Sequence, residues 1–149
     1  MSLRNASDKF RSSLTLLTER RVEYALRAAM DITALAKTRI INKRVDGFDQ
    51  AYGEYADSTW KQKQRSNKGN NRAINFSETN RMWATTLPSI TSVTRTQIEI
   101  TVEPTDAGRA EVFGYHQERF GPLIALNPRE SVIFTNIYGN LLIKDLPKI

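Results

Sequence analysis

The hydrophobic and polar positions between residues 9 and 44 follow the period of one long α-helix. Polar side chains recur at helical spacing along one narrow stripe, which consists of Arg20, Glu23, Arg27, Asp31 and Thr38. Most of the remaining positions are apolar, so the apolar arc covers more than half of the helix surface. A helix that is buried on one side only has a narrower apolar arc. The pattern therefore predicts that this helix is covered on two sides.

Such a helix is long for a chain of 149 residues. Its roughly 35 residues would span about 50 Å, whereas a compact domain of this size has a radius of gyration of about 15 Å. The helix either breaks near residues 15–18 and stays in the core, or projects and packs against another subunit. As candidate subunit-interface positions we select Val22, Leu26, Ala29, Ala36 and Ile40.

Two short helices are expected in the middle of the chain. Residues 57–59 (Asp-Ser-Thr) offer an N-cap for a helix that contains Trp60. Residues 77–79 (Ser-Glu-Thr) can cap another helix, which holds Met82 and Trp83 and ends before Pro88.

The C-terminal half predicts strands followed by a helix. β-branched residues concentrate at 90–94 and at 97–102, and the second run alternates apolar and polar positions as a half-buried strand does. Residues 106–108 (Asp-Ala-Gly) mark a turn. Residues 123–126 predict a short buried strand. The helix after it has Asn127 as N-cap, Pro128 at its first position and Glu130 as capping-box partner, and it ends at Pro147.

These patterns together predict a single α+β domain over residues 1–149. A long N-terminal helix (about 9–44) and a C-terminal helix pack on a small, mainly antiparallel sheet. The sheet and the C-terminal helix occupy residues 87–146, and a long basic loop occupies residues 61–77.

The predicted loop at 61–77 combines positive charge with few apolar residues. It contains no Asp or Glu, and residues 1–75 as a whole hold 15 Lys and Arg against 8 Asp and Glu. We expect this loop to be mobile in the free protein and to contact DNA phosphates or an acidic neighbouring protein. Aromatic residues for base stacking are absent between Trp60 and Phe76, so only non-specific DNA contact stays open. The candidate contact residues are Lys61, Lys63, Arg65, Lys68 and Arg72.

The sequence makes no positive case for an enzyme, a cofactor or a metal site. It has no cysteine, its only histidine is His116, and its glycines form no phosphate-binding pattern. We interpret Glu99 and Glu103 as one solvated strand face, and His116 as a core or interface residue. A hydrolase built on His116 and a carboxylate is an alternative from another class. No apolar run reaches the roughly 20 residues of a membrane span, and the N-terminus lacks a signal-peptide core, so we expect a soluble protein without membrane contact.

Several short motifs have a familiar order. Gly53 to Arg72 leads from a glycine into a Lys/Arg-rich stretch, and residues 78–83 read Glu-Thr-Asn-Arg-Met-Trp. A His-Gln pair at 116–117 precedes Phe-Gly at 120–121, and residues 122–129 lead from proline through an apolar run into the last helix. In this order the segments resemble the virion-morphogenesis or tail-completion proteins of tailed bacteriophages. Asn80 replaces a glycine of that family's motif, and residues 118–119 interrupt its histidine–aromatic run.

The resemblance implies a structural role rather than catalysis. It implies a homo-oligomeric ring in the neck of the virion that joins the head connector to the tail. The partners would be the adjacent connector and tail proteins, with DNA passing through the channel, and the protein would be made in the host cytoplasm before it enters the virion. A small basic DNA-binding or packaging-accessory protein is the alternative, and oligomeric state separates the two.

Overall fold

The computed structural model describes residues 3–66, 71–76 and 81–146, with side chains from residue 8 onward. It confirms the α+β class, with a long N-terminal helix, a C-terminal helix and a small antiparallel sheet. A π-helical turn, Arg39–Lys43, continues the first helix. The elements are α1 (Leu3–Thr38), α2 (Asp57–Arg65), α3 (Arg81–Thr85), β1 (Thr86–Val93), β2 (Ile98–Pro104), α4 (Ala107–Phe120) and α5 (Pro128–Lys144).

Helix α1 is continuous through residues 15–18, so the alternative of a break there is wrong. Its 36 residues span about 54 Å. Between residues 8 and 20 no side chain is buried, whereas buried residues recur from Tyr24 onward. The first half of α1 therefore extends beyond the rest of the chain. The predicted polar stripe is exposed along the whole helix, as expected.

The second half of α1 packs on α5 and on both strands of the sheet. Its buried face is rich in small side chains, including Ala25, Ala28, Ala29 and Ala36. Small side chains permit close approach of the packed elements. The selection of Ala29, Ala36 and Ile40 as subunit-interface residues is corrected here, because all three are buried inside their own chain. Val22 and Leu26 are half-buried.

Strands β1 and β2 form a two-stranded antiparallel hairpin. Thr86 pairs with Pro104 and Ile90 with Ile100, and a β-bulge interrupts the register between Ile90 and Ser92. Helix α3 ends at Thr85 and β1 starts directly after it, so Pro88 lies within the strand rather than at the end of the helix. The predicted cap at 77–79 lies outside the described residues.

The region after the hairpin departs from the sequence-based expectation. Residues 106–108 begin helix α4 rather than a turn, because the Asp106 side chain accepts a hydrogen bond from the Arg109 N–H and caps the helix. Residues 123–126 form no strand. Leu123 is fully buried in the core, and the Ala125 carbonyl accepts a hydrogen bond from a side chain instead of pairing in a sheet. The predicted capping box of α5, formed by Asn127 and Glu130, is confirmed.

The main hydrophobic core brings the end of α1 together with the middle of the chain and α4. Edge-to-face aromatic contacts connect it, with ring centroids 4.8 Å apart for Tyr52 and Phe76 and 5.2 Å apart for Phe76 and Phe120. Such pairs contribute beyond the area they bury. The buried members of this cluster are Ile40, Ile74, Phe76, Met82, Trp83, Phe113 and Leu123.

Candidate functional site

The segment predicted as a basic loop is partly helical. Residues 61–65 form the second half of α2, so the loop prediction is wrong for them. Residues 71–76 also leave the surface, because Ile74, Asn75 and Phe76 are buried. The sequence pattern missed this because the apolar residues that anchor the segment are concentrated at its C-terminal end.

Lys63 is a structural residue rather than a free surface charge. Its side chain is only 4% exposed. The ammonium lies 4.2 Å from the centroid of the Tyr55 ring and 3.5 Å from Oδ1 of Asn75. The Tyr55 hydroxyl donates to the same Asn75 oxygen at 3.0 Å. A cation over an aromatic face in a desolvated place stabilises the packing of α2 on this segment.

Arg72 is also neutralised within the chain. Its Nε lies 3.0 Å from the Tyr55 carbonyl and 3.3 Å from a carboxylate oxygen of Glu54, and its Nη2 pairs with Asp57. Two backbone hydrogen bonds lie on either side of it. The Ile74 N–H donates to the Gly53 carbonyl, and the Tyr55 N–H donates to the Arg72 carbonyl. These bonds hold residues 71–76 against residues 53–57.

Two of the five predicted contact residues keep an exposed, unpaired charge in the described part of the chain. Lys61 and Arg65 lie on the exposed side of α2. Lys68 falls outside the described residues. The predicted set of five contact residues therefore becomes a pair on one helix, plus two residues that hold the fold together.

A pocket of about 320 Å³ lies next to this segment. One wall is a single face of α4, where Arg109, Val112, His116 and Arg119 recur at helical spacing. A second part of the lining comes from residues 54–56, just before α2, and from Thr59 in its first turn. The apolar lining comes from the core residues Ile74, Phe76, Met82 and Phe120.

His116 sits half-buried in this pocket. Its ring centroid lies 4.9 Å from that of Phe76, and its Nδ1 is buried without a hydrogen-bond partner among the described residues. Burial lowers the pKa of His116, and the nearby Arg119 guanidinium lowers it further. The neutral imidazole is therefore favoured, because the site offers little solvation for a second positive charge.

The charge of the pocket is positive on balance. Neither the Arg109 nor the Arg119 guanidinium makes a hydrogen bond or ion pair within residues 3–66, 71–76 and 81–146. Arg119 does lie over the Phe120 ring, 5.1 Å from its centroid. The Glu54 carboxylate, which also lines the pocket, already pairs with Arg72. The lining of the cavity thus combines apolar core side chains with two guanidinium groups that have no ion pair in the described part of the chain.

Two further findings concern the part of the chain that the structure describes. It contains no group of His, Cys, Asp and Glu side chains arranged to hold a metal ion. None of its helices is both long enough and apolar enough to cross a membrane.

Comparison of the chain with models of protein families, with curated proteins and with solved structures found no match.

The start of helix α4, which forms one wall of the pocket, has a sequence signal at Asp106. Asp106 is a preferred N-cap residue, and a helix started there places residues 109, 112, 116 and 119 on one face. The Asp-Ala-Gly sequence at residues 106–108 favoured a turn instead. The partners of His116 across the pocket come from distant parts of the chain, and local patterns do not reveal them.

Proposed function

We propose that this protein is a structural component of a tailed-phage particle, which forms a homo-oligomeric ring in the neck and joins the head connector to the tail. The uncovered first half of α1 carries this proposal. Phe10 is 54% exposed and Leu14 is 47% exposed. Leu17 follows at helical spacing and is half-buried.

A lone helical segment with this composition has little reason to persist in water. Isolated helices of about 12–15 residues are marginally stable, and most helices are stabilised by packing of an apolar face. Between residues 8 and 20 no side chain is buried by the described residues, so they supply little such packing. A second copy of the chain that covers Phe10, Leu14 and Leu17 would supply it.

A ring also needs a second, different surface on each subunit, because its contacts run head to tail. Helix α5 has exposed apolar side chains at Val132 and Ile143. The helix lies against the second half of α1, on the body of the molecule. The projecting first half of α1 and the exposed apolar surface of α5 would be the two different surfaces of such a contact.

The resemblance of residues 45–146 to tail-completion proteins supplies the phage assignment. In the neck, the proposed partners are the adjacent connector and tail proteins, and Lys61 and Arg65 would face DNA or an acidic neighbour. The alternative of a small basic DNA-binding or packaging-accessory protein has less support, because Lys63 and Arg72 are engaged within the chain.

The decisive experiment is native mass spectrometry of the purified protein and of matched α1 variants. We expect the wild type to give a closed oligomer, and Leu14→Asp to give monomers that keep most of their helix content in circular dichroism. Ser12→Asp introduces the same charge on the opposite side of the same exposed turn, and it should leave the oligomer intact.

A wild-type protein that stays monomeric at every concentration tested would contradict the ring. Equal assembly of Leu14→Asp and wild type would contradict the role of α1. Retention on duplex DNA by monomers, weakened by salt, would favour the DNA-binding alternative.

A further inference from the structure

The pocket between α4 and residues 54–59 has a composition that suits a ligand with both an apolar and an anionic part. Its lining includes the core side chains Ile74, Phe76, Met82 and Phe120, and its volume is about 320 Å³. That volume lies at the lower end of the range of ligand pockets. It is adequate for one large apolar side chain and part of the backbone that carries it.

The anionic part follows from Arg109 and Arg119. Both guanidinium groups line the pocket, and neither has a hydrogen bond or ion pair in the described part of the chain. They lie ten positions apart on one face of α4, with Val112 and His116 between them. Arginine is well suited to carboxylates because its planar donors bind both oxygens at once.

We propose that this pocket binds an acidic peptide segment of a partner protein, with one large apolar side chain seated on Phe76 and Phe120 and flanking carboxylates paired with Arg109 and Arg119. This inference goes beyond the proposed ring and does not depend on it.

A peptide fits the pocket better than a nucleic acid does. Glu54, which precedes α2 and does not belong to α4, also lines the pocket. A polynucleotide carries a negative charge at every phosphate, so part of its backbone would meet that carboxylate. A peptide can place its acidic residues on the α4 side only and keep a neutral residue near Glu54.

The test is titration of the isotope-labelled full chain with acetyl-Asp-Glu-Phe-Asp-Glu-amide, followed by nuclear magnetic resonance. We expect amide shift changes confined to the segments that line the pocket, at residues 54–59, 74–76, 81–83 and 107–120. Two comparison peptides isolate the two halves of the recognition. One replaces phenylalanine with glycine, and the other replaces every acidic residue with lysine; both should bind at least about tenfold more weakly.

Three variants connect the binding to the pocket. The double change Arg109→Gln with Arg119→Gln should weaken binding of the acidic peptide at least about tenfold. Val112→Trp should weaken it by filling the cavity while both arginines remain. Arg27→Gln removes a charge from the exposed stripe of α1 and should leave binding unchanged. Circular dichroism checks that each variant is folded, and neither arginine of the pocket makes a bond that the double change would break.

Several outcomes would overturn the proposal. They are no saturable binding of the acidic phenylalanine peptide, equal binding by the double arginine variant, and shift changes outside the pocket. Tighter binding of oligothymidylate at the same residues would also overturn it, because the site would then be one for nucleic acid.

Discussion

Arg39 and Glu130 form a buried, bidentate ion pair that joins the π-helical turn after α1 to the start of α5. The Arg39 Nε lies 2.8 Å from Oε1 and its Nη2 lies 3.0 Å from Oε2 of Glu130. The same guanidinium donates to the carbonyls of Val45 and Ala125, at 3.0 and 2.8 Å. One side chain thus connects two parts of the chain that are far apart in sequence, residues 39–45 and residues 125–130.

The first prediction concerns this pair. Glu130→Ala should lower the free energy of unfolding by about 3–5 kcal/mol, because Arg39 would remain buried without its counter-charge. The change also removes the second half of the α5 capping box, in which Glu130 accepts from the Asn127 N–H at 3.0 Å. Urea denaturation measures the loss. Glu111→Ala, at an exposed position of α4, is the control and should stay within about 0.5 kcal/mol of wild type.

The second prediction uses two glycines with opposite surroundings. A Cβ at Gly47 would lie 2.6 Å from the Ala125 carbonyl oxygen, so Gly47→Ala should destabilise the protein by about 1–3 kcal/mol. A Cβ at Gly114 would meet nothing within 4 Å. Because Gly114 lies inside α4, Gly114→Ala should stabilise the protein by about 0.5–1 kcal/mol. Opposite shifts of the melting temperature would establish both. An unchanged or higher melting temperature of Gly47→Ala would contradict the close contact at residue 47, and a lower one of Gly114→Ala would contradict the open space at residue 114.

The third prediction separates structural from exposed lysines on α2. Lys63→Gln should cost about 1–2 kcal/mol of stability, because it removes the charge over the Tyr55 ring and the contact with Asn75. Lys61→Gln, two positions away and exposed, should change stability by less than about 0.5 kcal/mol. Thermal melts of the two single variants would decide the matter. Equal melting temperatures would mean that the Lys63 charge contributes nothing to packing.

The fourth prediction follows from the lowered pKa of His116. The folded state binds a proton at this residue less readily than the unfolded chain, whose histidine has the usual pKa of 6.5. As the pH falls through about 6.5, the unfolded chain is protonated first, so the protein loses stability toward lower pH.

His116→Gln should reduce this loss between neutral and mildly acidic pH. The comparison of wild type and variant isolates the histidine, because both proteins contain the same carboxylates. An unchanged pH dependence in the variant would show that His116 titrates alike in the folded and unfolded states. Unfolding curves at a series of pH values provide the measurement.

Local patterns were sufficient for the parts of the fold that local chemistry controls. The capping box at residues 127–130 and the polar stripe of α1 are both as the sequence predicts. Each depends on side chains only three or four positions apart, and such spacing is visible in a sequence.

Tertiary contacts controlled the parts that the patterns missed. Residues 123–126 have the composition of a strand. In the structure Leu123 is buried in the core, and the Ala125 carbonyl accepts a hydrogen bond from the Arg39 side chain. The positive charges at 61–72 suggested an open loop. In the structure Lys63 contacts Tyr55 and Asn75. Arg72 forms ion pairs with Glu54 and Asp57. The acidic partners come before the segment, and their proximity depends on the pairing of residues 53–55 with 72–74.

The uneven burial along α1 has a consequence for its dynamics. Residues 8–20 and residues 24–40 belong to one continuous helix, but only the latter are locked by packing. Amide hydrogens of the first half should exchange with solvent through fraying of the end, whereas those of the second half should exchange only when the whole molecule opens. Protection against hydrogen exchange should therefore rise along α1 from residue 8 to residue 40. If another molecule packs on the first half of α1, protection there should increase as the protein concentration rises.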